Sequence, residues 1–353
     1  MRLFSLATIT LLYCCVAAAL GDERVVFYRE FNGHTSSVDD LSFDPKSEVI
    51  VSGGADGMRL WSIRDGKELA FRGFNTYRAH FLDDNRVFIA DTSEGLIFWD
   101  RRSKSSERIV SRTSSRVVAD ISPSATIAVA SFCVKPSAAA ERPSAYDIEV
   151  WKRDPDWQQT FVLQGHRGPV LSLKIHPSES SLLSQAADGT YRAWNLKDGT
   201  QIAMNGEVVD RQGQLNNWFS EARSGLAFGT DGKIALCSSG LYQFPEFEKA
   251  GILNDDRKNR ACAVTTSHDG AWFATGHSDG TVAIWDSVTQ KQLASFKAMK
   301  NGSAVHAVCF SPDDSILATA GYGMVPGFRA LREKIIPKDT TVRLWRLSSL
   351  KGN

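Results

Sequence analysis

From Asp269 to Asp286 the chain reads Asp-Gly-Ala-Trp-Phe-Ala-Thr-Gly-His-Ser-Asp-Gly-Thr-Val-Ala-Ile-Trp-Asp, an apolar run, a small polar break and a second apolar run that ends on an aromatic. β-Branched and aromatic residues on both sides of an Asp-Gly dipeptide, which tolerates positive φ, predict strand, tight turn, strand. The pattern recurs. It returns as Ile-Val-Ser-Gly-Gly-Ala-Asp-Gly-Met-Arg-Leu-Trp-Ser from Ile50, as Leu-Leu-Ser-Gln-Ala-Ala-Asp-Gly-Thr-Tyr-Arg-Ala-Trp-Asn from Leu182, and as Lys-Asp-Thr-Thr-Val-Arg-Leu-Trp-Arg from Lys338.

These residues resemble the WD40 family, whose repeats of about 40–45 residues each supply one propeller blade. The resemblance implies that each repeat opens with the outer strand of the preceding blade and continues through the three inner strands of its own. Blade one carries Gly33-His34, a strand from Val38 to Phe43, Ser52, Asp56 and Trp61. Blade two keeps Trp99-Asp100 without a Gly-His. Blade three has a strand from Ala125 to Phe132 and reaches Trp151 after an insertion from Cys133 to Asp147. Blade four regains Gly165-His166, Ser184, Asp188 and Trp194. Blade five, read from Ser224 to Phe244, has no Trp, but Trp194 and Trp285 stand about two repeat lengths apart and require it. Blade six has Thr275, Asp279 and Trp285 but no Gly-His, so its network is expected to be incomplete. Blade seven runs from Ala304 to Trp345 around an insertion from Gly321 to Pro337. Arg24 to Phe31 then pairs with blade seven and closes the ring, removing two unpaired edges. The expectation is an all-β, seven-bladed β-propeller over residues 22–350.

Residues 1–21 read as a separate segment. Apolar positions dominate from Leu3 to Leu20 behind Arg2, and the small residues Ala17, Ala18, Ala19 and Gly21 precede Asp22-Glu23-Arg24. That is the pattern of a secretory leader, cleaved after Ala19 or Gly21. The alternative is a retained anchor, because about eighteen helical residues at ~1.5 Å each approach the bilayer core thickness. A secreted or periplasmic location follows, with membrane contact only if the segment is kept. Cys133, Cys237, Cys262 and Cys309 lie in or beside predicted inner strands without a C-x-x-C pair and read as buried thiols. In an oxidising compartment Cys237 with Cys262 is the disulfide to test first. A net charge of +1 over 353 residues weighs against nucleic acid as the main partner.

His34, Ser52 and Asp56 invite a hydrolase reading, but the set recurs as His166, Ser184 and Asp188. The family resemblance implies a hydrogen-bonded chain in each case, from the Trp61 or Trp194 indole through hydroxyl and imidazole to carboxylate. Each member offers a donor or acceptor, so the chain satisfies buried polar atoms and stiffens the blade. Thr275, Asp279 and Trp285 are the partial set in blade six. No H-E-x-x-H, paired Cys ligands, Asp-rich calcium loop, G-x-S-x-G elbow, P-loop or dinucleotide fingerprint occurs, so no metal, cofactor or catalytic residue is assigned.

In this architecture the loops between second and third strands, and those leading into first strands, open on one face. The insertions at 133–147 and 321–337 and the connection 205–223 therefore crown that face, where binding resides on a rigid scaffold. Tyr77, Arg112, Arg167, Trp218, Phe219, Arg257, Phe328, Arg329 and Arg332 fall there, and aromatic residues with Arg are the make-up of interface hot spots. The implied function is a non-catalytic protein-binding scaffold, monomeric or part of a larger complex. The alternative is an enzyme or small-ligand binder in the central channel, with Asp39, Asp40, Asp120, Arg116 and His306 as its candidate groups.

Overall fold

The computed structural model describes residues 24–111, 113–114, 116–133, 146–206, 225–237, 240–251, 261–323 and 339–348; the expected leader and most of the three long insertions fall outside them. The strands of these residues form seven antiparallel sheets of four. Blade one is typical: Val38–Phe43, Val49–Gly54, Gly57–Ser62 and Glu68–Arg72 lie side by side in chain order. Every residue of Val49–Gly54 is buried, because a middle strand is covered on both faces by neighbouring blades and so reads as a continuous apolar run. The outer strand Glu68–Arg72 is mostly exposed and carries Glu and Arg.

The last sheet is completed by the chain's other end. Val25–Phe31 pairs antiparallel with Val342–Leu347, with Val25 opposite Leu347 and Phe31 opposite Val342. Closing the ring this way covers an edge that a linear array would leave open. The core is correspondingly divided into seams between blades. At the closing seam Phe31, Val342 and Leu344 pack with Val38, Leu41, Phe43, Ile50 and Trp61.

Three boundaries differ from expectation. Ala125 sits in a turn at φ 58°, and the blade-three strand begins at Ile127. The second strand of blade seven continues to Gly323, past the point where the insertion was expected to begin. In blade five the first strand is reduced to Ala227–Phe228. Among the described residues no helix is long and apolar enough to cross a membrane.

The first strands of all seven blades line a central channel, a cavity of about 350 Å³. Five of them carry a β-bulge at the same place, their second position, or in Ser303–Phe310 the fourth: Asp39, Tyr77, Leu171, Cys262 and His306. A bulge inserts an unpaired residue and re-aims its side chain, so the repeated irregularity sets a ring of residues at one mouth of the channel.

Candidate functional site

The polar chains lie inside the blades. In blade one Trp61 Nε1 donates to Ser52 Oγ at 2.8 Å, Ser52 Oγ is 2.7 Å from His34 Nε2, and His34 Nδ1 is 2.6 Å from Asp56 Oδ1. Donor and acceptor roles close when Ser52 donates to Nε2 and the Nδ1 proton goes to Asp56. Thr35 N adds a bond to Asp56 Oδ2 at 2.8 Å and so ties the incoming connection to the turn. Burial alone raises a carboxyl pKa, but the His34 and Thr35 hydrogen bonds outweigh it and hold Asp56 down to about 2. Blade four repeats the chain with Trp194, Ser184, His166 and Asp188 at 2.8, 2.8 and 3.1 Å, and Thr190 Oγ1 joins it 2.8 Å from Asp188 Oδ1. There too burial is outweighed, chiefly by the His166 hydrogen bond, and Asp188 is held at about 2. Ser, His and Asp are thus consumed in buried pairing rather than presented to a cleft.

Blade six, where no Gly-His precedes the first strand, takes its imidazole from another position. Trp285 Nε1 donates to Thr275 Oγ1 at 3.0 Å, and Thr275 Oγ1 is 2.9 Å from Nε2 of the buried His277. The imidazole comes from two residues further along the same strand, a spacing that puts both side chains on one face. Asp279 caps the turn, accepting from Thr281 N and Oγ1 at 2.8 and 2.6 Å. In blade seven Trp345 donates to Thr319 at 3.0 Å, and a separate buried ion pair holds the turn: Arg343 donates to Asp339 at 2.7 and 3.1 Å while Asp339 accepts from Lys300 N.

The channel holds a second chain that the sequence reading half found. Asp40 and Asp120 were expected there; Arg78 and Lys174 were not singled out. Arg78 bridges Asp40 at 3.3 Å and Asp120 at 2.8 Å, and Lys174 lies 3.4 Å from Asp120, so four consecutive blades are linked by alternating charges. Each carboxylate also accepts from the next blade's backbone, Asp40 from Ala79 N at 3.0 Å and Asp120 from Ile175 N at 2.8 Å. Burial dominates at Asp40 and raises its pKa despite Arg78. At Asp120 burial is overcome by Lys174 and Arg78, and its pKa falls. His80, desolvated and facing Arg78 and Lys174, is pushed down to about 3 and is neutral. The wall from blades five to seven is different: Ala227, Thr265 and Cys309 stand at the register of Asp120 and Lys174, and Ala263 and Ala307 at the register of Asp40 and Arg78. Among the described residues no three His, Cys, Asp or Glu side chains are placed to share a metal ion.

At the mouth, Tyr77 is half-buried with the Arg116 guanidinium 5.9 Å from its ring centre, and Asp39, Leu171, Cys262 and His306 complete the rim. Arg167 is exposed on the connection into blade four, its backbone N bonded to Asp188 at 2.8 Å. Arg112, Trp218, Phe219, Arg257, Phe328, Arg329 and Arg332 lie outside the described residues. Cys237, Cys262 and Cys309 are free thiols, so the pairing of Cys237 with Cys262 is not formed. Sequence reasoning missed the bulge ring as a set, since nothing in a single repeat announces a one-residue register shift.

The model "WD domain, G-beta repeat" matches residues 26–62, 157–195, 253–286 and 290–346. Those segments hold the inner strands of blades one, four, six and seven, where the Trp motif was read most fully. Among curated proteins the chain is similar to a p21-activated protein kinase-interacting protein 1-like of Xenopus laevis, 25% identical over 53% of this chain and 49% of the relative. It is similar to WD repeat and HMG-box DNA-binding protein 1 of Mus musculus, 26% identical over 78% of this chain and 25% of the relative. It also resembles the eukaryotic translation initiation factor 3 subunit I of Schizosaccharomyces pombe, 24% identical over 49% of this chain and 54% of the relative. The chain thus spans between a quarter and about half of the length of these relatives.

Proposed function

We propose that this chain, which belongs to the WD40-repeat family, is a non-catalytic protein-binding platform that works outside the cytoplasm and meets its partner at the bulge-rimmed face. The observation that carries the reading is the ring of bulged residues at the channel mouth, with Tyr77 and Arg116 set against each other and Arg167 exposed nearby. A rigid amphipathic ring beside a guanidinium gives contact area at low cost in side-chain entropy. The paired charges behind the rim favour a scaffold over a catalyst, since Asp40 and Asp120 are each engaged by a cation and a backbone N–H.

The relatives support a binding role through their names alone: one is an interacting protein of a kinase, another a subunit of an initiation factor. This chain would share the habit and not the partner. Its place outside the cytoplasm rests on the apolar run from Leu3 to Leu20. A second reading, a small-ligand site in the channel, is favoured by the 350 Å³ cavity.

The test is affinity capture from the native extracytoplasmic fraction, comparing the intact chain with a Tyr77→Ala, Arg116→Ala double variant of matched melting temperature. A protein held by the intact chain and lost by the variant is the expected result. Equal capture by both would overturn the mouth as the binding face.

A further inference from the structure

The outer strand of blade six, Gln292–Lys297, hands over to the first strand of blade seven, Ser303–Phe310, through a tight turn. Ser303 N donates to Lys300 O at 3.0 Å, and both central residues are left-handed, Asn301 at φ 56° and Gly302 at φ 70°. This is the pattern of a type I′ turn, for which Asn-Gly is the preferred pair. Asp339 clamps the turn from both ends. Its carboxylate accepts from Lys300 N at 2.7 Å, and its own N donates to the buried Ser303 Oγ at 3.1 Å. Asn301 and Gly302 themselves are exposed, and a side chain added at Gly302 would meet nothing within 4 Å.

We propose that Asn301 is a site of N-linked glycosylation. Asn301-Gly302-Ser303 is the one Asn-x-Ser/Thr triplet in the chain, and it falls at a turn tip that opens to solvent. In the transfer, the Asn301 side-chain nitrogen bonds to C1 of an oligosaccharide carried on a lipid diphosphate. The C1–O bond to the diphosphate breaks, the lipid diphosphate leaves with that electron pair, and the amide proton is released. Because the Ser303 hydroxyl is buried in the finished fold, the triplet is used before blade seven closes around it. The proposal rests on the reading of export, since such donors face only the lumen of the secretory route.

The turn opens on the same face as the connections that carry His34 and Arg167. A glycan there covers the sector between blades six and seven and leaves the sector of Tyr77, Arg116 and Arg167 open to a protein partner.

The whole chain, with and without an independent leader fused ahead of it, is expressed in a eukaryotic secretory cell line, each form carrying a reference glycosylation triplet in a C-terminal tag. Amidase release in ¹⁸O-water followed by peptide mass spectrometry reads an ¹⁸O-labelled Asp at position 301 wherever a glycan was attached, and a sample left in ¹⁸O-water without amidase is the control for the spontaneous deamidation of an Asn-Gly pair. The expected result is that both forms carry a glycan at the reference triplet and at Asn301. A reference triplet modified while Asn301 stays bare in the leader-fused chain overturns the proposal. A native chain bare at both triplets, beside a leader-fused chain modified at both, upholds the site and overturns the reading of export.

Discussion

Blades four and five are neighbours drawn on the same four-strand plan, and they are held by different chemistry. In blade four Leu182 faces Ile175 on one side and Trp194 on the other; in blade five Ala235 faces Phe228 and Tyr242 in the same way. That register makes Cys237 the counterpart of Ser184 and Tyr242 the counterpart of Trp194. No imidazole or turn carboxylate completes a chain with them among the described residues. In its place the edge away from the mouth carries an aromatic knot. Phe228 and Phe244 pack on His176 of blade four and Phe247 packs on Phe244, with His176 stacked on Phe244 at 5.4 Å and bonded to Gly232 O at 3.1 Å. A buried polar chain is directional and fixes one geometry, whereas aromatic packing tolerates shorter and less regular strands.

The sharpest break of this comparison is truncation at the paired aromatic positions. Trp194→Ala should cost about 3–5 kcal/mol, because a fully buried ring is lost and Ser184 is left without its donor. Tyr242→Ala, at a half-buried ring, should cost about 1–2 kcal/mol. Urea unfolding of the two variants measures the difference, and equal losses would show that the polar chain adds nothing.

Acid is the next probe. Asp56 and Asp188 have folded pKa values near 2, below the ordinary value of 3.8, so the unfolded chain takes up protons first as pH falls. Their contribution is complete above about pH 4 and is lost as pH drops through 2, at about 2 kcal/mol for each carboxylate. Asp188→Asn should flatten that slope in the stability profile, while a change in blade five should leave it unaltered.

Cys237→Ser tests whether blade five can accept the hydroxyl of its neighbour. Burial has pushed the Cys237 thiol well up, and a hydroxyl there without a donor should cost about 1–2 kcal/mol. Adding Tyr242→Trp supplies the indole N–H, and the double variant should recover about 1 kcal/mol relative to the sum of the singles. The smallest effect is expected in blade three. Trp151 Nε1 finds no acceptor among the described residues because Ala130 stands where blades one, four, six and seven have Ser or Thr. Ala130→Ser should therefore stabilise by about 0.5–1 kcal/mol in thermal unfolding.

Legibility followed the same divide. The polar chains of blades one and four were readable because all four members lie in one repeat, at spacings set by one hairpin and one connection. The blade-six imidazole could have been read too, since Thr275 and His277 are two apart on a strand and must share a face. Blade five hid its substitutions because Cys and Tyr match no motif until the pairing register aligns them with Ser184 and Trp194.

Local pattern determined the strands and turns, because each depends on period-two burial and turn chemistry within a few residues, and the resemblance to WD40 repeats added the count of seven and the closing role of the N-terminal strand. The ring decided the rest. The chain from Asp40 through Arg78 and Asp120 to Lys174 joins one residue from each of four repeats, and the mouth from Asp39 to His306 joins five. These groups meet only when blades stack at fixed angles and registers, a condition of closure that no single repeat encodes.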